Sequence, residues 1–209
     1  MVAVRAETTE WTAVGTPLRG NTVSGDRYLV KPLATGALAM VADGLGHGKP
    51  AAEAAERALS AVNDCAESVT VSELALRCHV ALQGDSRGAV LSLAKYDAAE
   101  GIVTWLGVGN VEGRLLLRTA EGHYIQESLL LHPGIVGQHL PDLRPSVMRV
   151  SHGDLLIFAT DGIVADFAGD IQIDARVEEI AKHISVTWRK QTDDALVLVM
   201  RCLGHADAG

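Results

Sequence analysis

Apolar residues recur along this chain with two periods, and the change of period separates strands from helices. Short apolar runs over 28–31 and 36–42, split by a turn from Pro32 to Thr35, predict two early strands. Helical spacing begins near Lys49-Pro50, where proline in the first turn sacrifices an N–H that has no helical partner anyway. Ala51, Ala55, Ala58, Leu59 and Val62 then form one face, small enough to lie close against a sheet. A second helix opens at Thr70, with Glu73 three residues on as a capping box, and carries Leu74, Cys78, Ala81 and Leu82 on one side. From 88 to 159 the pattern returns to strands, predicted over 89–96, 102–106, 114–118, 123–126, 146–150 and 155–159. A third helix is predicted over 174–187, with Val177, Ile180, Ala181 and Ile184 inward, and a closing strand over 195–201. Runs of strands with helices gathered between them read as α+β, sheets covered by helices.

The length of 209 residues suits one domain over 1–209, with no repeat or linker dividing it. A hydrophobic fraction of 48% supplies a core, and aromatics at 4% mean that Val, Leu, Ile and Ala must fill it. The net charge of −8 disfavours nucleic acid and anionic membranes as partners. No apolar run approaches a membrane span, and MVAVRAETTE lacks the basic and apolar regions of a signal peptide. Cys65, Cys78 and Cys202 are odd in number and widely spaced, as expected of reduced thiols in the cytoplasm.

Four acidic residues share one setting, each at the end or start of an apolar run and beside a Gly or another Asp. They are Ser24-Gly25-Asp26, Val41-Ala42-Asp43-Gly44, Ala159-Thr160-Asp161-Gly162 and Thr192-Asp193-Asp194-Ala195. A sheet holds such a carboxylate rigidly while leaving it in the loop layer. If the four strands lie side by side, their ends converge, and converging carboxylates call for a cation. An all-oxygen site suits Mg²⁺ or Mn²⁺. The plainer reading of any one of them is a turn aspartate, since Asp-Gly is a common turn dipeptide.

Together these stretches resemble the PPM-type metal-dependent protein phosphatases. Val-Ala-Asp43-Gly44-Leu-Gly46-His47-Gly48, followed by an Ala-rich helix, is similar to that family's second motif. Ser24-Gly25-Asp26 resembles the first acidic motif of its bacterial SpoIIE-like branch, and the Asp161 and Asp193 stretches resemble the later ones, in the right order. The length and the Gly107-Val-Gly109-Asn110-Val111 stretch look most like the RsbX-type stressosome phosphatases.

The resemblance implies an αββα sandwich, two mainly antiparallel sheets flanked by helices, with a binuclear metal site at one end. It implies two Mn²⁺ or Mg²⁺ ions, bridged by Asp43 and held by the Gly44 carbonyl, Asp26, Asp161 and Asp193. Asp194 either binds one ion or orients a ligand. Two ions about 3.5–4 Å apart share a water, and the resulting hydroxide would displace a serine or threonine alkoxide from phosphorus. The implied partners are phosphorylated STAS-domain scaffold or antagonist proteins of a stressosome-like complex. His47 either protonates the leaving group, orients a phosphate-bound water, or simply marks the start of the Pro50 helix. Arg19 and Arg27 flank the place where relatives carry a phosphate-gripping arginine, and neither matches it; Arg87 reads as a surface residue.

Gly107-Val-Gly109-Asn-Val-Glu-Gly113 is one residue too long for a dinucleotide fingerprint and reads as a β-hairpin turn. The histidines form no HExxH pattern, so zinc is not expected. A haloacid-dehalogenase-type phosphatase would need a nucleophilic aspartate where Ala159 stands. The alternative of another class is a catalytically weak PPM-fold module that only docks on phosphorylated partners.

Overall fold

The computed structural model describes residues 3–84, 87–119 and 121–204. Among the described residues, twelve strands and three helices follow one another as β1 (Val4–Arg5), β2 (Thr9–Thr16), β3 (Asp26–Leu33), β4 (Gly36–Gly44), α1 (Lys49–Asn63) and α2 (Val71–Leu82). Then come β5 (Ala89–Asp97), β6 (Ile102–Val108), β7 (Glu112–Arg118), β8 (Tyr124–Ser128), β9 (Leu131–His132), β10 (Ser146–Arg149), β11 (Leu155–Ala159), α3 (Val177–Thr187) and β12 (Ala195–Cys202). One sheet runs β1-β2-β12-β11-β7-β8 and the other β10-β6-β5-β4-β3, antiparallel apart from β9, which pairs parallel with β6.

Three apolar clusters explain why these strands read as nearly continuous hydrophobic runs. Ala37, Ala39 and Val41 of β4 meet Phe158, Leu198 and Met200 of the other sheet in a core between the layers. Leu38, Met40 and Ala42, the alternate residues of β4, turn instead to Ala55, Ala58 and Leu74 of the helix pair. On the far side, Ile157, Val197 and Val199 pack against Ile180 and Ile184 of α3. Each central strand is therefore covered on both faces, one period-2 set per layer. The result is the expected αββα order, helix pair, sheet, sheet, helix.

The helix signals act as expected. Pro50 sits in the first turn of α1, whose buried face is Ala51, Ala52, Ala54, Ala55, Ala58 and Val62. The Thr70 hydroxyl accepts from Glu73 N, and Glu73 Oε2 accepts from Thr70 N at 2.8 Å, so two orphan helix-end donors of α2 are satisfied. Pro32 is tolerated inside β3 because β3 is an edge strand.

Other expectations need correction. The third helix starts at Val177, because Gln172–Ala175 forms a hydrogen-bonded turn and Asp174 is drawn off to an ion pair with Arg118. β2 was not foreseen, yet it pairs with the whole of β12. The 107–113 stretch is not a hairpin: β6 and β7 belong to different sheets, and the connection crosses between layers. The four aspartates do not come from four adjacent strands either. Two belong to each sheet, and they approach one another across the gap between the layers.

Candidate metal centre

Asp26 opens β3 and stands directly opposite Asp43, near the end of β4. In the other sheet, Asp161 lies just past the end of β11, and Asp193 and Asp194 just before the start of its neighbour β12. Stacking the sheets brings the two pairs to one end of the sandwich. Glycines next to the acids permit close backbone packing around them. A Cβ on Gly44 would fall 1.9 Å from the Ala51 carbonyl oxygen at the start of α1, and one on Gly162 would fall 1.8 Å from the Asp194 carbonyl oxygen.

The acids divide into two groups. Asp43, Asp161 and Asp193 line an open cleft of about 290 Å³, shared with His47, Asn110 and Leu18. Asp26 and Asp194 are buried behind it. Asp26 accepts a hydrogen bond from the Thr160 hydroxyl at 2.8 Å. Asp194 accepts from Leu18 N through Oδ1 at 2.6 Å and from Gly25 N through Oδ2 at 2.7 Å. Both of its oxygens therefore hold the β2–β3 connection in place, which favours the orienting role of the two implied for it.

Each surrounding contact fixes a piece of the site. Asn110 donates to Asp161 Oδ2 at 2.9 Å, and Lys190 Nζ donates to the Asp161 carbonyl at 2.8 Å. Arg27 bonds the carbonyls of Ser24 and Asp26 and pairs with Glu56, so its guanidinium is spent on the loop. Arg19 is exposed. Arg87 is also exposed, with Nη1 only 2.6 Å from where a Cβ of Gly46 would lie, at the rim. His47 is exposed on the same rim, between the left-handed glycines Gly46 and Gly48.

The electrostatics follow from crowding acids away from water. Burial pushes the Asp43 carboxyl up to about 8, with Asp26, Asp161, Asp193 and Asp194 adding repulsion. Burial likewise raises Asp26 to about 7; the Thr160 bond opposes the rise, and Asp194, Asp161 and Asp193 reinforce it. Asp161 is raised by burial and Asp193, while Lys190 and Asn110 pull it down. The residues thus fit a divalent cation on donor chemistry: hard oxygens with an unmet need for positive charge. Among the described residues, no three His, Cys, Asp or Glu side chains are placed closely enough together to hold an ion by themselves. The acids border a cleft instead, where water would complete an ion's coordination, as Mg²⁺ commonly requires.

The sequence pointed to the acids and to His47 but gave no role to Asn110, Thr160 or Lys190. Asn110 and Thr160 were inside the quoted motifs. Nothing marks Lys190, which reaches Asp161 from within the α3–β12 connection.

A family model described as Stage II sporulation protein E (SpoIIE) matches residues 34–207. No curated protein matches significantly. Among solved structures, one from the bacterial stressosome, described as a modular system adapted to control secondary messenger signaling, is 30% identical with a TM-score of 0.81. It is matched over 93% of this chain and 100% of its own. RsbX in complex with magnesium is 24% identical with a TM-score of 0.82, over 96% and 98% of the two chains. The catalytic domain of the serine threonine protein phosphatase PstP with two manganese ions is 15% identical with a TM-score of 0.69, over 94% and 99%. The last two share the fold with this chain.

Proposed function

The chain belongs to the SpoIIE family, and from that premise we propose that it is a metal-dependent serine/threonine phosphoprotein phosphatase of the PPM type. The observation that carries this is the convergence of carboxylates from both sheets on one cleft, their acidities depressed by burial and mutual repulsion. Two Mn²⁺ or Mg²⁺ ions would be held by Asp43, Asp161 and Asp193 from the cleft, Asp26 from behind, and the Gly44 carbonyl. RsbX with magnesium and PstP with two manganese ions support that count and choice. Bound there, the ions would lower the pKa of a water and neutralise charge on the phosphoryl oxygens.

The chain's own residues do the rest. Asn110 and Lys190 orient Asp161. Asp194 and Arg27 fix the loop that presents Asp26. His47 stands at the rim, where it can hand a proton to the departing alkoxide of the cleaved phosphoester. The cleft is open, which suits a phosphorylated side chain on a protein surface better than an enclosed small molecule.

The substrates we assign are phosphoserine or phosphothreonine on STAS-domain scaffold or antagonist proteins of a stressosome-like complex, in the cytoplasm. The 30% identity to a stressosome structure and the likeness to RsbX support this. No helix of the described residues is long and apolar enough to cross a membrane. The test is phosphate release from a phosphorylated STAS-domain protein with Mn²⁺, abolished by chelator and by Asp43→Asn. Tight binding of the phosphoprotein with no metal-dependent release would instead establish the docking module.

A further inference from the structure

Thr160 is one of the residues through which the two sheets meet by hydrogen bonds at the site, alongside Asp194. It follows β11 in one sheet and is 1% exposed. Its backbone N–H donates to the Leu196 carbonyl at 3.0 Å, continuing the β11–β12 ladder. Its hydroxyl oxygen accepts the Leu196 N–H at 2.8 Å. The hydroxyl proton is donated to Asp26 Oδ2 at 2.8 Å, on the other sheet and 134 positions away in sequence.

A hydroxyl rotates freely unless its lone pairs and its proton are both engaged. Here the Leu196 N–H fixes one side, so the proton is aimed. The chain Leu196 N–H, Thr160 O–H, Asp26 carboxylate is polarised in one direction, and each bond strengthens the next. Among the described residues no other group donates to that carboxylate. Oδ2 is therefore anchored, and among the described residues Oδ1 has no hydrogen-bond donor. A valine would fill the same space with none of this, and a serine would keep all of it.

We propose that Thr160 is a positioning residue that anchors Asp26 across the sheet interface and thereby sets the affinity of the site for divalent cations. This rests on the metal reading above. Removing an outer partner of a metal ligand commonly lowers affinity about tenfold to a hundredfold, and a loss of that size is expected for Thr160→Val.

The experiment titrates Mg²⁺ and Mn²⁺ calorimetrically into the whole protein, as wild type, Thr160→Val, Thr160→Ser, Asp26→Asn and the Asp26→Asn/Thr160→Val pair. Melting in chelator confirms that each variant is folded; should Thr160→Val not fold, Thr160→Ala takes its place. Weaker binding in Thr160→Val, recovery in Thr160→Ser, and no added loss when Asp26 is already Asn would support the assignment. A purely local role, capping the Leu196 N–H, would lower the melting temperature of Thr160→Val but leave its cation affinity unchanged, and that result overturns the proposal. Equal losses from Thr160→Val in both backgrounds would overturn it too, since the effect would not run through Asp26. Wild type that binds neither cation would instead overturn the metal reading itself.

Discussion

Asp43→Asn should make the metal-free protein more stable while removing its activity. Asparagine keeps the shape of the side chain and deletes a charge that the folded state holds at a cost. At pH 7 the unfolded chain carries an ionised Asp43, whereas the fold pushes that carboxyl from 3.8 up to about 8 and keeps it protonated. Each pH unit between the unfolded pKa and the working pH is worth 1.36 kcal/mol, so the ceiling at pH 7 is about 4 kcal/mol. Asp43 borders an open cleft, and solvent screening there brings the expected gain to about 1–3 kcal/mol. For a chain of this length that is a rise of about 3–10 °C in melting temperature.

The sign fixes the pH window. A carboxyl raised in the fold binds protons that the unfolded chain has already released, so its contribution to stability is full below about pH 4. That contribution is lost as pH rises toward 7 for Asp26 and 8 for Asp43. Asn titrates in neither state, so wild type and variant should converge near pH 4 and separate toward pH 8. The assay is thermal melting in chelator across that range, repeated with saturating Mn²⁺. With the cation at about a thousandfold excess over its Kd the order should reverse, because the ligand then adds about 4.1 kcal/mol to a protein able to bind it. A variant that melts at or below wild type in chelator at pH 7, or a gain that ignores pH, would refute the reasoning.

Further outcomes follow from single contacts. Gly44→Ala places a methyl 1.9 Å from the Ala51 carbonyl oxygen; melting should show a loss of about 1–3 kcal/mol, with activity falling as Asp43 shifts. Asn110→Ala frees Asp161 Oδ2 and should lower kcat on a phosphoprotein about tenfold, by loss of ligand orientation, with little change in melting temperature. Thr70→Ala removes the capping box of α2, far from the cleft, and should cost about 1 kcal/mol with kcat unchanged.

The site was more legible than the scaffold that builds it. Asp43 stood out because a strand end, a glycine and a helix start follow one another within a few residues, all local signals. The β2 strand, Thr9-Glu10-Trp11-Thr12-Ala13-Val14-Gly15-Thr16, was not legible, because its side chains are mostly half-buried and its apolar alternation is diluted by threonines. Its reason for being a strand is β12, at the other end of the chain. The 109–111 crossing is not legible in the sequence for a related reason. A glycine-rich turn between two strands looks the same locally whether the second strand pairs with the first or passes to another sheet, and only packing decides. Asn110 and Thr160 went without roles because their partners, Asp161 and Asp26, lie 51 and 134 positions away.

That division has a physical origin in how the centre is assembled. Neither sheet alone makes it: one supplies the Asp26–Asp43 pair, the other Asp161 and Asp193, and each pair is tolerable by itself beside water. Stacking forces them together, and what compels the stacking is the core between the layers, where Val41, Phe158, Leu198 and Met200 are almost wholly removed from solvent. Burial of that kind stabilises by about 1.5–3 kcal/mol per large side chain, enough to hold a group of acids that repel one another. The Thr160, Asn110 and Asp194 hydrogen bonds then decide where the repelling groups point. Stability in this fold is thus spent at one end of the sandwich to keep an electrostatic demand unmet. That is why the same aspartate whose removal should relax the fold is the one on which catalysis should depend.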